Sequence, residues 1–234
     1  MTLPVATCDV FSALIDSHTG ATRFLAGLGR EWSVAPETVA TAWDTRTRQL
    51  HRLGGAWRPH ATLAAQALTA TYQELGVCGD PVADCRGLLA SMAHWPLWPD
   101  VAALDPESWL GLRVGLLSNT DNDLLRPTAA SRLPMVQTDL VTTSETLQAY
   151  KPAAVFYRRA WERIGPYVHV AASARDVRGA LEAGVPCVRL ARPGHTVDPE
   201  GPLPARTVRT AAELPAAILD LAHTAAQRSP TPPG

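Results

Sequence analysis

Charge of one sign, long apolar runs and paired cysteines are all missing from this sequence, and each absence removes a class of function. The chain has 21 Lys+Arg against 22 Asp+Glu, a formal net charge of −1, with the basic residues spread rather than blocked. Nucleic-acid backbones are met by positive stripes that displace counterions, so no nucleic-acid partner is expected. No apolar run approaches the roughly 20 residues that a bilayer span needs. The opening stretch MTLPVATCDVFSALID has no basic segment ahead of its apolar part, so neither export nor membrane attachment is expected and the expected location is the cytoplasm. Cys8, Cys78, Cys85 and Cys187 show no CxxC spacing, and a chain of 234 residues buries a core without crosslinks, which predicts reduced thiols and no structural zinc. The seven histidines fall in no metal-ligand spacing either, and His169 in YVHVAAS reads as a core or interface residue. What is present, 46% hydrophobic and 18% charged residues, describes a globular chain of one large or two modest domains.

Residues 5–9, VATCD, form a short apolar run ending in a carboxylate, the pattern of a buried strand with a loop at its C-terminal end. From about residue 20 to 95 apolar positions recur at three- and four-residue spacing, as in ETVATAWDTRTRQL and ATLAAQALTATYQEL, which predicts helices. Strands are then expected at 112–120, 139–143, 167–173 and 185–191, with helices between them in AVFYRRAWERI and DVRGALEAG. Alternating strands and helices imply an α/β fold with a doubly wound, mostly parallel sheet. The helical block is too long for a loop and reads as an inserted cap domain, giving a core of residues 1–17 and 97–226, a cap of 18–96 and a disordered Pro-rich tail, 227–234. GLGR at 27–30 reads as a helix terminator rather than a phosphate cradle.

Ligands of such sheets bind beyond the carboxyl ends of the strands, and there Asp9, Ser118 and Ser173 all fall. Asp9 alone could be a turn residue. With Ser118 and Asn119 ending the next strand, Lys151 preceding a helix and Asp176 opening another, the set has the parts of covalent catalysis by an aspartate nucleophile. Lys151 would keep Asp9 ionised and oriented, Asp176 would hold that lysine or polarise water, and Ser118 with backbone N–H groups would bind developing negative charge.

The segments DVFSALID, LLSN, YKPAAVFY and AASARDVRGALEAG resemble, in order and spacing, the four motifs of the haloacid dehalogenase superfamily, and more closely its 2-haloacid dehalogenase (type II) branch. AWDTRTRQL, WPLWPD and VRLARPG add to the likeness, which covers roughly residues 3–195. The resemblance implies that Asp9 is the nucleophile, that Ser118 and Asn119 cradle the substrate or leaving group, that Lys151 neutralises the site, and that Tyr157 and Asp176 match the family's tyrosine and last acid. It also implies a hydrolase in which the aspartate attacks and water cleaves the resulting ester. The superfamily's phosphatases carry two further carboxylates where this chain has Phe11 and Ala172. A phenyl group cannot protonate a leaving alkoxide, and magnesium would lose a hard oxygen ligand, so attack on carbon with no metal and no cofactor is expected.

The substrate shell departs from the family. FSAL stands for FGTL, so Ala13 removes a hydroxyl beside the nucleophile, and Ser12 is expected to point elsewhere rather than replace it. Asp44 follows Trp43 where the family has the arginine that clamps the substrate carboxylate. Arg48 is expected to pair with Asp44 as an ordinary i,i+4 ion pair, with Arg46 on the opposite side. Ser173 stands where the family has an amide or imidazole for the hydrolytic water. Phe11, Ser12, Trp43, Asp44, Arg48, Tyr157 and Ser173 are thus the candidate substrate contacts, while Trp43, Trp57, Trp95 and Trp98 read mainly as packing. The partner is a small molecule. The leading expectation is an (S)-2-haloacid dehalogenase-like hydrolase; a diverged enzyme for another small molecule, a phosphatase and a non-catalytic ligand binder are the alternatives, and the oligomeric state stays open, a homodimer through apolar cap helices being compatible with the pattern.

Overall fold

The computed structural model describes residues 3–29, 32–53 and 56–226, so the expected disordered tail lies outside the described residues, as does Arg30 of GLGR. In chain order the elements are β1 (Val5–Cys8), α1 (Ser17–Gly27), α2 (Pro36–Leu50), α3 (His60–Leu75), α4 (Pro81–Ser91), α5 (Pro99–Ala102), β2 (Arg113–Ser118), α6 (Asn122–Leu125), β3 (Thr142–Thr143), α7 (Ser144–Leu147), α8 (Ala154–Ile164), β4 (Tyr167–Ala171), α9 (Ala174–Glu182), β5 (Cys187–Leu190), β6 (Arg206–Val208) and α10 (Leu214–Ala226). The strands form one sheet in the order β3-β2-β1-β4-β5-β6, every neighbouring pair parallel. β1 and β4 are central, and in this order the strand sequence reverses beside β1, the switch point at which such sheets open a crevice.

Helices cover both faces. Val114, Val168 and Val188 pack with Leu214 and Ile218 of α10 in one buried group, and Leu117, Ala171 and Cys187 pack with Phe156 of α8 and Ala180 of α9 in another. The sequence reading placed five strands; β6 is a sixth, a three-residue edge strand. Its residues, RTV, sit in a polar stretch too short to show alternation.

The chain leaves the sheet at Ile15 and returns at Leu97, residues that bridge each other in antiparallel fashion. Asp16 N–H donates to the Pro96 carbonyl and Trp98 N–H to that of Leu14, which makes the exit and the return one narrow seam. Between them α1 to α4 pack on one another as the helical cap. Side-chain caps define their starts: Asp16 accepts from Thr19 N–H, and Asp80, followed by Pro81, accepts from Val82 and Ala83. The start of α3 is held from the other side of the cleft, because Asp121, beyond β2, accepts from the N–H groups of His60 and Ala61 at 2.8 and 2.9 Å.

Candidate active site

Asp9 follows the last residue of β1, with its N–H donating to the Val170 carbonyl of β4 at 2.8 Å. The chain then makes one wide turn, Val10–Leu14, closed by Ile15 N–H on the Val10 carbonyl. That turn brings Ser12 back over Asp9, and its hydroxyl donates to Asp9 Oδ2 at 2.6 Å. The expectation that Ser12 points away is therefore corrected: the wide turn places its hydroxyl on Asp9.

Lys151 spends all three of its ammonium protons on acceptors, Asp9 Oδ1 at 2.7 Å, Asp176 Oδ2 at 2.5 Å and the Leu117 carbonyl at 2.9 Å. Its burial opposes the charge, but the two carboxylates outweigh burial and raise its pKa. Asp176 is buried as well. Burial pushes its carboxyl up, and Lys151 and His169 reverse that, leaving it well below the usual carboxylate range. Its other oxygen, Oδ1, accepts from Tyr157 Oη at 2.7 Å and from His169 Nε2 at 3.1 Å. His169 in turn meets Thr7 Oγ1 through Nδ1 at 2.9 Å, and an acceptor-only carboxylate assigns the ring proton to Nε2. His169 is thus a core residue, as read, but one that orients the acid.

Asn119 clamps the lysine from both sides: its side-chain oxygen accepts from Lys151 N–H at 2.7 Å and its NH₂ donates to the Lys151 carbonyl at 2.9 Å. Its amide thus fixes Lys151, and Asn119 also lines the cleft, with one amide proton outside these two bonds. Ser118 is fully buried and its hydroxyl has no hydrogen-bond partner among the described residues, although it lines the cleft. A buried hydroxyl without a partner is costly, and its place on the cleft wall makes Ser118 a candidate contact for a bound molecule.

A cleft of about 750 Å³ opens above these groups, between the strand ends and the cap. Phe11, Ser12, Trp43, Asp44, Arg48 and Ser173 all line it. Tyr157 does not: it is completely buried beneath Asp176, so its expected substrate contact is corrected to a hydrogen bond that holds the acid. Arg48 pairs with Asp44 at 2.5 Å as expected, and Arg46 turns away to Glu74. Asp44 remains open to the cleft, its side chain 53% accessible. The surrounding walls still raise its pKa, against the pull of Arg48 and Arg175. Trp43 donates to the Ala64 carbonyl, Trp98 to that of Ser12, and Trp95 meets Phe11 edge-on at 5.9 Å, so these tryptophans pack and line the cleft at once.

Sequence reasoning missed Arg175 and His195, both on the cleft wall. No spacing rule singles out either one: Arg175 directly precedes Asp176 but its reach into the cleft depends on the start of α9, and His195 is brought in by the loop after β5. Burial lowers the pKa of His195, partly offset by Asp9, and so favours the neutral ring.

Magnesium does not fit these donors. Both Asp176 oxygens are occupied by Lys151, Tyr157 and His169, Ala172 offers no oxygen from its side chain, and the Phe11 carbonyl accepts from Ser17 Oγ at 2.7 Å. Among the described residues no cluster of three or more His, Cys, Asp or Glu side chains is arranged to hold a metal ion.

The parallel sheet, the inserted helical cap and the four motifs gathered at the strand ends are the features in which the chain resembles haloacid dehalogenase-like hydrolases. No family model matches the chain. Its resemblance is to the 2-haloacid dehalogenases: (S)-2-haloacid dehalogenase 4A of Burkholderia cepacia is 26% identical over 204 residues, which span 80% of this chain and 82% of that protein. The structure of L-2-haloacid dehalogenase from Xanthobacter autotrophicus with chloropropionic acid covalently bound superposes with a TM-score of 0.79 at 18% identity, covering 93% of this chain and 99% of that one. A defluorinating L-2-haloacid dehalogenase gives a TM-score of 0.76 at 20% identity, over 93% and 96% of the two chains.

Proposed function

We propose that this chain is a metal-independent hydrolase that displaces a leaving group from carbon through an ester on Asp9, as in an (S)-2-haloacid dehalogenase. The observation that carries the reading is the setting of Asp9: a carboxylate fixed by Lys151 on one oxygen and Ser12 on the other, lining the cleft, with Phe11 in place of a second acid. In the first step an Asp9 oxygen bonds to the substrate carbon while the carbon–halogen bond breaks, and the electron pair leaves with the halide. In the second, water attacks the Asp9 carboxyl carbon, the ester C–O bond breaks, and the hydroxy acid departs. We assign the proton released in this step to His195, because Asp176, depressed by Lys151 and His169, is a weak base.

Incubation with (S)-2-chloropropionate and its bromo analogue, with free halide measured in the presence of chelator, tests the reading. Release by the wild type and none by Asp9→Asn is expected; absence of halide release from every 2-haloacid tried would overturn it.

A second reading has its own support. The cleft far exceeds a three-carbon acid, and Asp44 places a negative charge within it, so a longer or more polar small molecule is the alternative substrate. A screen across 2-halo acids of increasing chain length separates the two, with kcat/KM rising with length under the second reading.

A further inference from the structure

The charges of the cleft do not balance on the side where cap meets core. Burial first, then the nearby Arg48 and Arg52, lower the pKa of Arg175 to about 10, against the opposing pull of Asp44 and Asp176. Asp44 is already taken by Arg48. Among the described residues Arg175 has no carboxylate within ion-pair distance, and its guanidinium makes a single long contact, 3.4 Å from Nη1 to the Arg48 carbonyl. Five N–H donors on a half-buried cation with one weak acceptor are an unfilled demand for an anion. The position is also rigid. Arg175 is the second residue of α9 and directly precedes Asp176, which Lys151, Tyr157 and His169 hold, so its backbone is tied to the frame that holds Asp9.

We propose that Arg175 is the carboxylate anchor of this cleft, a specificity-determining residue that binds the acid group of the substrate from the core side. The proposal rests on the Asp9 reading for what happens to the adjacent carbon. Asp44 keeps Arg48 paired on the cap, so a carboxylate entering the cleft meets in Arg175 a guanidinium with no carboxylate partner among the described residues. Because the anchor belongs to the core and not to the cap, the acid group and Asp9 are held by the same domain.

Two measurements test this separately from the chemistry. In the first, 2-chloropropionate is titrated calorimetrically into Asp9→Asn, which cannot form the ester, and into Asp9→Asn combined with Arg175→Gln or Arg175→Lys, each shown to be folded by its melting transition. Binding is expected to weaken 10-fold or more for Gln and less for Lys, while Arg46→Gln, at a side chain that turns away from the cleft to Glu74, changes it little. Equal binding with and without Arg175, an equal loss from Arg46→Gln, or no binding to Asp9→Asn at all would overturn the anchor. In the second, Arg175→Gln in the otherwise native chain should raise KM for 2-chloropropionate 10-fold or more, with a smaller change in kcat and no change toward the uncharged 2-chloropropionamide. Equal losses on the acid and the amide would mark a general structural role and overturn the proposal. Should carboxylate binding depend on Arg175 while no ester forms on Asp9, the nucleophile reading fails and the anchor stands.

Discussion

Lys151 illustrates how much of this site is decided by single atoms: an ammonium buried between two carboxylates and a carbonyl has every proton engaged, and Asn119 fixes the backbone that carries it. Asp9 is then left with two supports, Lys151 on one oxygen and Ser12 on the other. Losing a hydrogen bond to a charged group costs about 1.5–3 kcal/mol, so Ser12→Ala should lower kcat by one to two orders of magnitude with KM little changed. A variant with near-native kcat in a steady-state assay would show that Ser12 is dispensable. Asp9, Lys151 and Asp176 were legible in the sequence because each ends or begins an element at the same edge of the sheet. The reach of Ser12 was not, because it depends on one wide turn whose closure has no compositional signature. Arg175 was equally hidden: its meaning lies in the carboxylate it lacks, which is a property of the folded surroundings.

At the scale of elements, the ends of α2 and α3 form a joint with the core. His51 Nε2 meets His60 Nδ1 at 3.1 Å, Tyr150 stacks on His51 with ring centroids 4.1 Å apart, and Asp121 caps α3. Burial, helped by repulsion from His60, Arg175 and Arg48, lowers His51 to about 2; burial, resisted by Asp121, lowers His60 to about 4. Both are neutral when folded and protonate near 6.5 when unfolded, so their contribution is intact above pH 6.5 and is lost as the pH falls toward those folded values. At pH 5 the loss amounts to about 2 kcal/mol per histidine, from about 1.4 kcal/mol per pH unit. Denaturant unfolding at pH 7 and pH 5 should show it, with a shallower pH dependence in His51→Gln/His60→Gln; identical dependence would place the acid sensitivity elsewhere. Contact between α8 and α9 is similarly exacting. A Cβ on Gly179 would lie 2.7 Å from Pro152 Cβ and 2.9 Å from Tyr157 Oη, so Gly179→Ala should destabilise by about 1–3 kcal/mol and loosen Asp176, measurable as a lower midpoint together with a lower kcat. The helices of the cap and the main strands could be read from periodicity, which is strong over long amphipathic segments. The edge strand β6 could not, because three residues in a polar stretch carry no period.

Across the whole molecule, one buried side chain ties the nucleophile loop to the return of the chain from the cap. Arg192 donates from Nε and Nη2 to the Ala13 carbonyl, pairs with Asp100 at 2.8 Å and lies 5.2 Å over the Trp98 ring. Removing one partner of a buried ion pair costs about 3–5 kcal/mol, so Arg192→Ala should cause a loss of that size in a denaturation experiment, against a small effect for the exposed Arg126→Ala. The α/β architecture with its inserted cap was visible from the order of patterns along the chain, whereas this long-range tie between residues 13, 100 and 192 was not. All of these supports converge on one carboxylate, and the account stands or falls on what it does. The direct test is a single turnover of 2-chloropropionate with enzyme in excess in heavy-oxygen water, followed by mass spectrometry of the peptide that contains Asp9. An Asp9 ester opened by water at its carboxyl carbon puts the label in Asp9 and leaves the first hydroxy acid unlabelled. Label in the hydroxy acid alone, with an unlabelled Asp9 peptide, would contradict covalent catalysis at this site.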